Sequence, residues 1–386
     1  METVKTLVQR YRPEPKLLSL MELFRRMVNR SIAIGLETGR TSLKSLSMVS
    51  YSDLGEFKTD SRYRLCAISR AAGILKNYRR LSKRHRVRTP YCRRAGLTIC
   101  YGLKVNEDDG MLCLPGGFHI PLNKYLLRVL SEPGLRLRSA TITESTINIA
   151  YTKETPIMEC KGLIGVDRNL YNVTAVDNLG NTLVYNTARL VAVNMATRQT
   201  VARFKRDDNR IKRRIAGKYG HIRRQRTQWL LHNVSKKLVK HAGANRLGIV
   251  QENIKGIRRL NRKGNGQGPY YRERLNSWPF YKLDHQLSYK ASWEGLPVTH
   301  VNPKGTTSKC SICGDHMVFS KESRMLRCPS CGLSVDRDVN AARNILSSGL
   351  RFSLKGLPSE AVRGNPTTMV IPRVDDSQPS HSEAQQ

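Results

Sequence analysis

Acidic residues are scarce in this 386-residue chain: 30 Asp and Glu stand against 67 Lys and Arg, a formal net charge of +37. That is too much self-repulsion for a protein working alone, and a polyanion is needed to offset it. Nucleic acid is the expected polyanion, ahead of an anionic membrane or an acidic protein surface. Long apolar runs are missing as well. No stretch reaches about 18 apolar residues, so no transmembrane helix is expected. The most apolar early stretch, 17–36, contains Glu22, Arg25, Arg26 and Arg30 and reads as an amphipathic helix. Nothing at the N-terminus resembles a signal peptide, and no repeat of solenoid period is present. The nine cysteines are an odd number: four form two C-x-x-C pairs, while Cys66, Cys92, Cys100, Cys113 and Cys160 are scattered. That pattern excludes a disulfide framework and suits a reducing, intracellular compartment with a metal site. With 39% hydrophobic and 25% charged residues the chain still reads as globular.

Three textures follow one another. Residues 4–11 alternate weakly as one strand, and 17–88 are helical, with Leu17, Leu20, Phe24, Met27 and Ser31 on one face and a second helix over 63–84. Short alternating runs at 97–105, 110–114 and 139–151, punctuated by glycine and proline, form a small β domain that 4–11 completes, leaving the helices as an insertion. From residue 161 an apolar strand (163–167), a hairpin around Asn178-Leu179-Gly180, a basic stretch (198–240), a strand (247–251), a helix (277–294), a strand (298–301) and a helix (338–346) give the order of an RNase H-like α/β domain. After residue 357 the chain turns polar, and 375–386 reads as a disordered tail.

Two constellations carry chemistry. Cys310-x2-Cys313 and Cys328-x2-Cys331 lie 14 residues apart, each followed directly by glycine (Gly314, Gly332) where a knuckle must turn sharply. Four thiolates suit tetrahedral Zn²⁺, and a site closed by four protein ligands is structural: a zinc ribbon. The second constellation is acidic. Asp167 ends one apolar strand, Glu252 ends another, and Asp338 opens the last helix. Carboxylates converging on one sheet edge repel unless divalent cations join them, and Mg²⁺, for which Mn²⁺ can substitute, prefers such oxygens. Two ions about 3.5–4 Å apart serve phosphodiester cleavage. Asp336 is the alternative third ligand; Asp338 is preferred because it lies one turn before the small pair Ala341–Ala342, which lets the helix approach the sheet.

Ile164-Gly-Val-Asp167, Val250-Gln-Glu252-Asn, Trp278-Pro-Phe with Leu287-Ser-Tyr-Lys-Ala, Thr307-Ser-Lys-Cys310, and Arg327-Cys-Pro-Ser-Cys-Gly with Asp336-Arg-Asp-Val-Asn-Ala-Ala resemble the TnpB family. These are insertion-sequence-encoded relatives of the type V CRISPR effector nucleases. The resemblance is specific over 161–346, about half the chain. It implies an RNA-guided DNA endonuclease, associated with a transposable element, that cleaves double-stranded target DNA next to a short motif. Asp167, Glu252 and Asp338 would be the RuvC-type metal-binding acids, and the four cysteines the zinc ligands of the ribbon. The implied architecture is multidomain α+β: a β-barrel wedge domain (1–15, 96–157) with a helical recognition insertion (16–95), a RuvC-like domain (158–304, 336–350) with an inserted zinc ribbon (305–335), and a partly disordered tail (351–386). One departure is that the usual acid flanking the second catalytic Glu is replaced by Gln251 and Asn253. A guide RNA, a monomeric ribonucleoprotein, no membrane partner and a prokaryotic, nucleoid-associated cytoplasmic location complete the expectation.

Basic stretches at 76–94, 198–240 and 255–274, interleaved with aromatics, are expected to meet phosphates and unpaired bases. The residues expected to bind nucleic acid are Tyr51, Lys76, Asn77 and Arg80 in the helical insertion, and Arg203, Lys205, Arg213, Arg214, Arg223 and Arg224 in the long basic run. The run 264–269, Gly-Asn-Gly-Gln-Gly-Pro, reads as a mobile lid. The competing readings are an RNase H-like transposase acting without guide RNA, a nuclease-dead RNA-guided repressor, and a plain zinc-ribbon RNA-binding protein.

Overall fold

Apolar spacing sets the helices of the N-terminal half, and in the computed structural model each apolar face is buried. The structure describes residues 2–204, 208–257, 266, 268–320 and 324–353; residues 264, 265 and 267 of the 264–269 run lie outside these, as does the tail beyond 353. The chain divides into two compact units, residues 2–154 and the residues from 155 onward.

In the first unit, β1 (Glu2–Arg10) precedes α1 (Pro15–Glu37), α2 (Leu43–Ser50), a 3-10 turn (Asp53–Phe57) and α3 (Ser61–Ser82). Pro15 occupies the first turn of α1, where its missing N–H costs nothing. Ser42 and Asp60 cap α2 and α3 through side-chain oxygens that accept from Ser45 N and Arg62 N. The strands β2 (Leu97–Ile99), β3 (Lys104–Asn106), β4 (Met111–Leu114), β5 (Phe118–Pro121), β6 (Leu135–Ile142) and β7 (Thr146–Glu154), with the short α4 (Lys124–Leu130), complete the unit. Where a barrel was expected, the strands pair as two sheets, β1-β7-β6-β2 and β3-β4-β5. One apolar core, including Phe24, Met27, Ile68, Leu97 and Ile149, joins helices to strands.

The second unit is built on a five-stranded sheet. Its strands are β8 (Gly162–Arg168), β9 (Asn172–Asp177), β10 (Thr182–Asn186), β11 (Leu247–Glu252) and β12 (Val298–Val301), in the order β10-β9-β8-β11-β12. The first three are antiparallel in succession, while β11 runs parallel to both β8 and β12. Asp177 closes the β9–β10 hairpin by accepting from Leu179 N and Asn181 N, and Gly180 takes a φ of 86°. Between β10 and β11 run α5 (Ala188–Arg203) and the 36-residue α6 (Asn209–Ala244). Only the second half of α6, from Thr227, is buried. The expected helix over 277–294 is α8 (Phe280–Trp293), and a further helix, α7 (Pro269–Ser277), precedes it; Pro279 keeps the two apart, and Trp278 turns inward to donate Nε1–H to Leu170 O at 3.0 Å. The short strands β13 (Val318–Phe319), β14 (Met325–Arg327) and β15 (Ser334–Asp336) form a small sheet that runs directly into α9 (Arg337–Ser353). No described helix is long and apolar enough to cross a membrane.

Strand alternation divides the large sheet into two faces. Ile164, Val166 and Ile249 pack with residues of α6 and α8, such as Leu238 and Leu287, on one face. Leu163 and Val250 pack with Ile345 and Leu346 of α9 on the other. Gly165 and Gly349 make the α9 approach close: a Cβ on Gly165 would overlap the Ala342 carbonyl oxygen, and one on Gly349 would stand 2.5 Å from Val250 Cγ2. Gly165→Ala is therefore expected to destabilise the protein by about 1–3 kcal/mol, measured as a lowered denaturant midpoint, because backbone rather than a flexible side chain must move. An unchanged midpoint would mean α9 shifts freely on the sheet.

Candidate active site and zinc knuckle

The parallel pairing of β8 with β11 runs from Gly162↔Leu247 to Val166↔Gln251, so the next residues on the two strands are Asp167 and Glu252. Asp167 alternates with Leu163 and Gly165, and Glu252 with Val250, so both carboxylates lie on the α9 face. Asp338 sits in the first turn of α9 on the same stripe as Ala342, Ile345 and Gly349. The three acids expected to act together thus converge at the C-terminal end of one sheet face. Asp336 has a different place: its Oδ1 accepts from Asp338 N at 2.8 Å and Val339 N at 3.2 Å, capping the helix.

Burial governs the electrostatics. Asp167 is 7% exposed, and burial, with the charge of Glu252 adding to it, pushes its carboxyl up to about 7. Asn169 holds it by donating to Oδ2 at 2.6 Å. Burial also raises Glu252, against the pull of the Thr306 hydroxyl, which donates to Oε1 at 2.5 Å. Asp338, 1% exposed, accepts from Asn172 Nδ2 at 2.9 Å and is ion-paired with Arg324 and Arg337. Its Oδ1 is buried without a hydrogen bond. Arg337 Nε stands 3.5 Å from that oxygen, and the three carboxyls are not drawn as close together as the cysteine sulfurs; the raised Asp167 and Glu252 are compatible with a cation between them.

The sign of the pH dependence follows. An acid near 4 in the unfolded chain and near 7 in the folded one binds more protons when folded. Without divalent ions, stability should therefore fall as pH rises from about 4 to about 7, and Asp167→Asn should flatten that slope in a series of thermal melts. A slope unchanged by the substitution would assign it to other groups.

Several contacting residues had no signal in the sequence. Arg168, on the opposite face from Asp167, is 7% exposed; it donates Nη2–H to the Glu252 carbonyl oxygen at 2.5 Å and stands 3.5 Å from Asp284. Asp284 lies 2.7 Å from His300 Nε2 on β12, so one buried guanidinium ties the ends of β8, β11 and β12 together. Asn172, Thr306 and Arg324 also reach the acids only through the fold. The asparagines at 169 and 172, within five residues of Asp167, are the one local hint.

The cysteines form the second centre. Their four sulfurs all lie within 4.8 Å of one another, the one group this dense among the described residues. Sγ of Cys310 is 3.5 Å from that of Cys331, and Sγ of Cys313 is 3.4 Å from that of Cys328. Bonds of about 2.3 Å to a tetrahedral Zn²⁺ would set sulfurs about 3.8 Å apart, so the group fits zinc. Both knuckles repeat one backbone pattern: Gly314 N–H donates to Cys310 O, Gly332 N–H to Cys328 O, and both glycines have positive φ, 85° and 73°.

The residues expected to meet nucleic acid are dispersed. Lys76, Asn77 and Arg80 are exposed on α3, with Lys76 and Arg80 lining one groove beside Ser42, whereas Tyr51 lines a different hollow with Met48 and Leu65. Arg203, Arg213 and Arg214 are exposed, and Lys205 lies outside the described residues. Arg223 and Arg224 border a cavity of about 950 Å³ that also reaches Glu252 and Arg168.

A family model for the TNB domain of Cas12f1-like proteins matches residues 280–345. The TnpB-like protein MJ0751 of Methanocaldococcus jannaschii is 29% identical over 223 residues, covering 54% of this chain and 77% of that protein. The CRISPR-associated endodeoxyribonuclease Cas12f1 of Sulfoacidibacillus thermotolerans is 29% identical over 189 residues, covering 40% of this chain and 42% of that one. In fold, the chain is similar to the protein of a Cas12f1–sgRNA–target DNA complex solved by cryo-EM, with a TM-score of 0.55 at 12% identity over 86% of this chain and 83% of that one. Together with the two motif clusters, these matches make the chain similar to TnpB-like and Cas12f1-like proteins.

Proposed function

We propose that the protein is an RNA-guided DNA endonuclease of the transposon-associated kind, cutting target DNA beside a short motif. One observation carries the reading: a chain of net charge +37 gathers Asp167, Glu252 and Asp338 at one end of one sheet face. In such a chain, two buried carboxyls and the half-buried Glu252 placed together weaken polyanion binding unless cations occupy them. The relatives' names, an endodeoxyribonuclease and TnpB-like proteins, support the same class.

In this reading residues 158–304 and 336–350 are the RuvC-type, RNase H-like nuclease domain, 305–335 the zinc ribbon, and the strands and helices of the first unit the wedge and recognition parts. Asp167, Glu252 and Asp338 would hold two Mg²⁺, or Mn²⁺. Bound there, the ions supply an activated water and a stabilised leaving oxygen. The chain's own residues position the acids: Asn169 and Asn172 orient Asp167 and Asp338, Thr306 orients Glu252, and Arg168 fixes the backbone that carries Glu252. Guide pairing would select sequence while the protein reads the shape of the hybrid and one short duplex motif.

The test is to purify the protein from cells expressing its native locus, sequence the RNA that accompanies it, and assay Mg²⁺-dependent cleavage with that RNA. One discrete RNA overlapping an end of its own gene, supporting cleavage of matched DNA, is the expected result. Heterogeneous RNA with cleavage or joining at element ends instead would favour the transposase reading. Discrete RNA with binding but no cleavage would favour a repressor.

A further inference from the structure

The buried face of α8, with Phe280, Leu283, Leu287 and Ala291, meets everything the fold asks of that helix. Its outer face nonetheless carries three rings one turn apart, Tyr281, His285 and Tyr289. The rings of Tyr281 and His285 are 9° from parallel with centroids 6.1 Å apart, and His285 and Tyr289 follow at 5.6 Å, tilted by 54°. Tyr281 is 77% exposed, an aromatic surface that nothing among the described residues covers. It stands on the rim of the 950 Å³ cavity that ends at Glu252, and the cations around that rim are Arg223, Arg224, Lys255 and Lys282.

Two exposed rings and the half-buried Tyr289 beside a row of cations are complementary to a polynucleotide whose bases are unpaired, since a paired base has both its faces covered by neighbours. Of the three rings Tyr281 lines the cavity, which also reaches Glu252, one of the three acids proposed to cut DNA. The strand that fits is therefore the one being delivered for cutting, not the guide, whose bases are engaged in a hybrid.

We propose that Tyr281, His285 and Tyr289 form a stacking ladder for an unpaired DNA strand, with Arg223, Arg224 and Lys282 meeting its phosphates. The proposal rests on the nuclease reading for the identity of the strand, but its test does not use cleavage. Full-length protein is titrated into a labelled mixed-sequence single-stranded DNA, the same sequence as duplex, and the same sequence as single-stranded RNA. Divalent ions are omitted, and the salt is about 0.3 M so that attraction to phosphate alone is suppressed.

Tyr281→Ala should weaken the single-stranded DNA complex about tenfold and leave the duplex complex unchanged, while Tyr281→Phe, which keeps the ring, should bind as the parent does. Because Tyr281 is so exposed, neither substitution threatens folding. An unchanged single-strand affinity, or an equal loss on duplex and single strand, would overturn the ladder. A loss confined to RNA would overturn its assignment to DNA. The nuclease reading fails separately, through cleavage that survives loss of Asp167.

Discussion

Asp167→Ala is expected to lower guided DNA cleavage by at least about 10³-fold while leaving assembly with RNA and binding to target DNA intact. The separation follows from position. Asp167 is buried on the α9 face of the sheet, whereas the exposed Lys and Arg side chains suited to phosphates lie elsewhere. Removing a buried carboxyl also removes its desolvation cost, so the variant should fold at least as well as the parent. Asp167→Asn, which keeps the volume, should lose cleavage to the same degree. Gel-shift binding and cleavage of end-labelled DNA, run on one ribonucleoprotein preparation, make the comparison. Cleavage that survives either change would remove Asp167 from the chemistry.

The second large effect is expected at the knuckle. Cys328→Ser should reduce zinc content, measured by mass spectrometry of the metal, from one ion per chain to a small fraction of that. Structural zinc sites carry apparent binding energies of about 10–16 kcal/mol, and strands of two and three residues offer little core to replace that. The damage should not stay local. Cys310 and Cys328 share an apolar cluster with Val176 of β9 and with Val339 and Ala342 of α9. Asn340 of α9 accepts from Ser311 N at 3.0 Å and donates to Lys309 O at 2.8 Å, and Asn344 donates to Thr306 O at 2.7 Å. Cleavage should therefore fall with zinc although no cysteine touches an acid. Retained zinc would refute the four-cysteine site, and lost zinc with full cleavage would refute the coupling.

The sequence was most legible where one local pattern settles one feature. Buried strands read as apolar runs, so β8 and β11 were visible, and with them the acids at their ends. The cysteine spacing and its two glycines announced the knuckle. Features that depend on distant partners were not visible: Arg168 finds the Glu252 carbonyl 84 residues away, and Asn172 finds Asp338 across 166. Short elements such as α4 and β5 were missed because seven and four residues carry too little periodicity. The basic run looked uniform in sequence, yet the fold sets Arg223 and Arg224 beside a cavity and leaves Arg213 and Arg214 in solvent.

The junction between β15 and α9 has no spacer: the strand ends at Asp336 and the helix begins at Arg337. A designer who treated the ribbon as a cassette and exchanged it for a foreign one would cut through the cap of the helix bearing Asp338. Such a chimaera inherits the donor's strand phase as a rotation of α9, and each misplaced residue turns that helix by about 100°. Ribbon and helix are thus one unit of inheritance, to be transplanted together or left alone.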